Sequence, residues 1–275
     1  MNLRNPIPAP KDRSPLRLAA GVAYYRARRR LQWLTSGSDY ASERSRELLP
    51  YVVFTHRTPL LRQLKDVDMQ LQINKVTNLR LAAARIDGLL LRPGQTFSYW
   101  KTIGRPARSK GYLEGMVLHR GTVRSGIGGG LCQLSNLLYW MMLHTPVQIT
   151  ERCRHGYDVF PDAGRTQPFG TGATCFYNYL DLQAVNGTDA LYQISLELSD
   201  THLIGTWRSD RPAMHRYEIV EKKHWFTQEL WGGYIRHNTI CRNVWNPEGL
   251  LLEQQHLTDN HAIMMYDPSL PPEMP

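Results

Sequence analysis

Ser125-Gly126-Ile127-Gly128-Gly129-Gly130-Leu131-Cys132-Gln133-Leu134-Ser135-Asn136 is the stretch on which the reading of this sequence turns. Two familiar glycine-rich motifs do not fit it. A phosphate loop ends in Gly-Lys-Ser/Thr, whereas these glycines run into Leu-Cys-Gln, and no register supplies the dinucleotide pattern G-x-G-x-x-G. The apolar run Leu137–Leu143 that follows reads as a buried helix over about 131–144, with Cys132 in its first turn. Unpaired N–H groups and the helix dipole favour an anion there, so the thiol is expected to shift toward thiolate. A helix-start cysteine on an antiparallel sheet is the arrangement of papain-like thiol enzymes, which also need an imidazole base and a group to orient it.

His155, 23 residues on at the end of a strand candidate, is the expected base, and Asp181 the residue expected to hold its ring, with Asn178 as the second choice. Gln133 and the Cys132 N–H are the candidate oxyanion donors. Each has a plain structural counterpart: a small buried thiol, a surface imidazole, a solvent-facing aspartate and a tight glycine turn. Metal binding is weaker, because Cys153-x-His155 offers only two neighbouring ligands and the other histidines lack zinc-like spacing. No cofactor is expected.

Around this segment the signals are those of an α+β protein. Apolar residues at steps of three and four mark helices over Leu16–Leu34 and Asn74–Asp87, the second stopped by Gly88. Pro93-Gly94 fits a type II turn. Strand signals follow at Val147–Thr150, Thr174–Gln183, Leu191–Leu198 and Leu203–Trp207, with Asn186-Gly187 as a hairpin turn. Residues 215–266 keep a β-branched and aromatic character with a turn at Asn246–Gly249. The expected layout is a basic N-terminal arm and helix over 1–38, one domain over 39–267 and a Pro-rich tail over 268–275. The domain's core covers about 71–210, and a β-rich extension covers 211–267.

The 275 residues carry a net charge of +9, and position explains most of it. Residues 1–34 hold eight Lys or Arg against Asp12 alone, which leaves the remaining 241 residues at +2. That distribution, with aromatic residues not interleaved with Arg and Lys, argues against nucleic acid as a partner. The arm reads as a basic amphipathic helix for which an anionic membrane surface is the alternative to packing on its own domain; its first 15 residues, rich in Pro and charge, are expected to be disordered. Apolar runs fall short of the roughly 18–20 residues a transmembrane helix needs, and the first makes a poor signal peptide. Four cysteines in a chain this long are no disulfide framework, so a cytoplasmic location is expected, with membrane association as the alternative that the arm offers.

The residues resemble the VanW family. The likeness runs through Asn78–Ala84, Leu91–Ser98, Gly111-Tyr112, Gly128–Ser135, Glu151-Arg152 with His155, Ala173-Thr174 and Asp181-Leu182. Phe226–Gly233 and Asp259–Tyr266 extend it, so that it covers roughly 50–267. The resemblance implies a link to cell-wall metabolism or glycopeptide resistance, and it places Cys132 and His155 in one site. Many relatives carry Asp where this chain has Gly172, which adds weight to Asp181. Many are also extracytoplasmic, with an anchor and a peptidoglycan-binding module in front; neither is visible here. The expected activity is that of a cysteine-dependent amidase, peptidase or acyltransferase acting on a cell-wall peptide or precursor. Gly128, Gly129, Gly130, Ser135, Arg152 and Asn178 are then expected to contact substrate. The alternative is a non-catalytic peptide-binding or accessory module that grips a carboxylate with the N–H groups of the glycine loop.

Overall fold

The computed structural model describes residues 13–61, 68–119, 122–159 and 167–266. The Pro-rich residues 1–12 and the tail 268–275, expected to be irregular, lie outside the described residues. The chain divides into two compact units, Met1–Gly37 and Ser38–Pro275.

In the first unit, helix α1 (Pro15–Thr35) starts at Ser14, whose hydroxyl accepts from the Arg17 N–H, with Pro15 in the first turn, where its missing N–H costs nothing.

The second unit is α+β, with sheets that are antiparallel apart from one short parallel pair. It begins with β1 (Tyr51–Pro59) and α2 (Met69–Ile86), which Asp68 caps through the Gln70 N–H. The periodicity of α2 extends five residues further toward its N-terminus than the sequence alone indicated. Short strands β2 (Leu89–Leu91) and β3 (Thr96–Ser98), helix α3 (Tyr99–Ile103), and the hairpin β4 (Glu114–His119) with β5 (Thr122–Ile127) lead to α4 (Cys132–Leu143). Then come β6 (Gln148–Glu151), β7 (Tyr157–Asp158), β8 (Gln183–Val185), β9 (Tyr192–Leu198) and β10 (His202–Ser209). Three long strands finish the unit: β11 (Arg216–Gln228), β12 (Tyr234–Trp245) and β13 (Leu251–Met264).

The main sheet has the order β1-β10-β9-β2, and α4 lies across β1 and β10. Leu134, Leu137, Leu138, Met141 and Met142 are fully buried in that layer, each stabilising the fold by roughly 1.5–3 kcal/mol. The approach is close enough that a β-carbon on Gly205 of β10 would meet Met141 at 2.7 Å. A second sheet, β3-β8-β6, carries the residues around Asp181, and a third, β11-β12-β13-β7, forms the C-terminal part.

Two expectations are corrected. Thr174–Gln183 is not a strand. Its backbone is spent on loops, with Phe176 and Leu180 pairing across a tight turn, and only Gln183–Val185 joins a sheet. Nor is Asn186-Gly187 a hairpin turn, since β8 and β9 belong to different sheets. The buried Asn186 amide instead donates to the Leu91 and Ala190 carbonyls while its oxygen accepts from Thr188, an Asx-type connection between layers.

Candidate functional site at the start of the buried helix

The glycine turn is locked before it reaches Cys132. Gly128 and Gly130 have φ of 74° and 88°, a region that glycine enters without a Cβ penalty. The Gly128 N–H donates to Leu113 O (3.0 Å), that of Gly129 to Gly126 O (3.0 Å) and that of Gly130 to Met116 O (2.8 Å). From α2, the fully buried Asn78 donates to the Leu113 and Gly129 carbonyls and accepts the Leu113 N–H. A β-carbon on Gly129 would lie 2.1 Å from the carbonyl carbon of Gly115. The expectation that these N–H groups grip a ligand is therefore corrected: all three serve the β4–β5 hairpin.

α4 starts without a side-chain cap, and the Tyr99 hydroxyl donates to the carbonyl of Leu131, the residue just before it. Burial pushes the Cys132 thiol above its usual range, opposite to the direction expected from the helix dipole, with the nearby backbone N–H groups of Cys132 and Cys175 opposing the shift. Cys175 was not anticipated. Its thiol is also buried and raised, with Cys132, Asp181 and Cys153 adding to the effect and the Ser135 hydroxyl opposing it.

Residues 172–175 run as a strip bonded alternately to either side. Toward α4, the Ala173 carbonyl accepts from the Ser135 hydroxyl (2.7 Å) and its N–H donates to Asn136 Oδ1 (2.8 Å). Toward the end of β6, the Gly172 carbonyl accepts from Arg152 Nε (2.9 Å) and the Thr174 N–H donates to Cys153 O (2.8 Å). Arg152 also holds the Gly170 carbonyl and stacks on Tyr139. Ser135 and Arg152, expected to contact substrate, thus brace this strip.

His155 lies three residues beyond Arg152, half-buried, its imidazole pushed down by burial and then by the neighbouring Arg154 charge. Among the described residues no hydrogen bond joins it to Cys132 or Asp181. Asp181 is fully buried and accepts from Ser98 Oγ, Gln183 Nε2, Trp100 N and Leu182 N, filling the roughly four lone-pair sites of a carboxylate. Its bonds tie α3 to the start of β8. The Gln133 amide donates to Thr58 Oγ1 (2.9 Å) and Pro59 O (2.8 Å), so both its N–H groups hold the end of β1 and none is left for an oxyanion. Asn178 is buried within the Phe176–Leu180 turn. Ser135, Arg152, Asp181 and Gln133 are therefore engaged mainly as scaffold. Asn78 and Ser98 lie inside the stretches that carried the resemblance, whereas Cys175 had no spacing to announce it.

Residues 74–208 match the family described as VanW like protein. The vancomycin B-type resistance protein VanW of Enterococcus faecalis (strain ATCC 700802 / V583) is 36% identical over 198 residues, 72% of this chain and 72% of that protein. The uncharacterized protein YoaR of Bacillus subtilis (strain 168) is 35% identical over 78 residues, 28% of this chain and 26% of that one. No solved structure matches the chain. This chain belongs to the VanW family, which is linked to vancomycin resistance.

Proposed function

We propose that this protein serves cell-wall metabolism or glycopeptide resistance as a binding or accessory module for cell-wall peptides or their precursors, with Cys132 a structural thiol. The observation that carries this reading is the strip at 172–175, hydrogen-bonded to α4 on one side and to Arg152-Cys153 on the other. His155 follows that second side and makes no bond to the thiol. The filled carboxylate of Asp181 and the spent amide of Gln133 support the same reading. The link to glycopeptide resistance comes from the name of the enterococcal relative and is carried to this chain by the similarity.

The experiment is a titration of a cell-wall pentapeptide into the wild-type protein and into Cys132→Ala, with mass spectrometry of the mixture. Equal affinities and unchanged peptide are expected. A product formed by the wild type and absent with Cys132→Ala overturns the reading.

A second reading has one observation in its favour: Cys132 opens α4, and the unpaired N–H groups and dipole of a helix start stabilise a thiolate once formed. On that reading the domain is a papain-like hydrolase or acyltransferase in which Cys132 attacks a peptide carbonyl, His155 moves the proton and Asp181 steadies the ring. It requires the 172–175 strip to shift, and the product arm of the same experiment separates the two.

A further inference from the structure

Helix α1 has a sidedness that its own unit leaves unused. At about 100° per residue, Leu16, Ala20, Ala23, Tyr24, Ala27, Leu31 and Leu34 fall on one face roughly 100° wide. All seven are exposed; Leu16 keeps 84% of its surface open, Tyr24 62%, Leu31 60% and Leu34 82%. Arg17 and Arg28 border this face on one side and Arg30 on the other, all exposed, and no Asp or Glu occurs between Pro15 and Thr35. The side carrying Val22, Arg29 and Trp33 is the less exposed one.

We propose that this face docks on an anionic lipid bilayer, with α1 lying in the plane of the headgroups. The charge pattern selects that occupant. Arginines along both borders of an apolar stripe place cations at the level of anionic headgroups while the leucines enter the acyl boundary. A second copy of the same helix would set arginine against arginine with no acid to compensate. The alanines along the centre keep the stripe shallow, suited to an interface rather than to the interior of a bilayer, and no described helix is long and apolar enough to cross a membrane. Docking of this kind fixes where the domain works and does not depend on whether Cys132 reacts.

The test is co-sedimentation of the full-length chain with vesicles of one part phosphatidylglycerol to two parts phosphatidylcholine, and with pure phosphatidylcholine vesicles. Binding to the anionic vesicles is expected, at least about ten-fold tighter than to the neutral ones and weakening as salt is raised. Leu31→Glu with Leu34→Glu, and separately Arg28→Glu with Arg30→Glu, are each expected to reduce it about ten-fold while leaving the thermal transition of the chain unchanged. Equal binding to both vesicle types, retention of binding by the leucine double variant, or no binding to either vesicle overturns the proposal.

Discussion

The Ser98 hydroxyl donates to the Asp181 carboxylate across 2.5 Å, and both side chains are buried, at 2% and 0% exposure. The bond joins the cap of α3 to the loop that leads into β8, and the other three donors at Asp181 come from the same two segments. Asp181→Asn keeps the shape but turns an amide N–H toward groups that are themselves donors. A loss of about 2–4 kcal/mol is expected, a fall of roughly 5–15 °C in Tm. Thermal denaturation checks it, and an unchanged Tm would free Asp181 from this structural role.

Burial pushes the Cys132 thiol upward, so its thiolate fraction near neutral pH is below that of a free cysteine. Alkylation by iodoacetamide at pH 7, followed at Cys132 by peptide mass spectrometry, is expected to be at least about ten-fold slower in the native protein than in urea. Faster labelling in the native state would sink the structural-thiol reading.

Gly129→Ala places a methyl group 2.1 Å from the Gly115 backbone, and neither hairpin nor turn can withdraw without breaking the Asn78 bonds. Loss of more than about 4 kcal/mol is expected, seen as failure to give a cooperative transition. Gly187→Ala is the control. Nothing lies within 4 Å of the added atom, and a change under about 1 kcal/mol is expected.

His144 lies flat on Phe54, ring centroids 3.8 Å apart, with His56 nearby, and burial pushes both imidazoles down. The charge of His56 lowers His144 further, and His155 is depressed as well. In the folded state these rings stay neutral at a pH where the unfolded chain, with imidazoles near 6.5, takes up protons. Stability is therefore expected to be level above about pH 7 and to fall as pH drops through about 6.5 and below. Urea midpoints at pH 7.5 and 5.5 measure the drop, and His144→Phe, which keeps the stacking, is expected to shrink it.

The legible parts of this fold are those whose order is local. The stripe Leu79, Ala82, Ala83 and Ile86 marks α2 and the apolar run after Cys132 marks α4, because both helices bury a periodic face. β1 escaped notice: its Thr, His and Arg are those of a half-exposed strand, and its partner β10 lies about 150 residues away. Thr174–Gln183 alternates like a strand, yet Cys153 accepts its first N–H and Phe176 pairs with Leu180 across a turn, so its backbone is claimed before any sheet can form. At the site, spacing placed Cys132 at the helix start correctly. The direction in which its thiol moves was not readable, because it depends on burial against Cys175, 43 residues further on, and that is a property of packing.

The C-terminal sheet bears on where the matched stretch 74–208 stops. β13 pairs in parallel with β7, buried Arg236 reaches Asp158 with Tyr266 on the same carboxylate, and Asn238 donates to the Phe169 carbonyl. Each contact is made to residues 157–169, inside the matched stretch 74–208, by residues beyond it. A border drawn by likeness here cuts through one folding unit. The segment that leads into the 172–175 strip is splinted from outside that border, so a fragment trimmed to residues 74–208 would lose the splint.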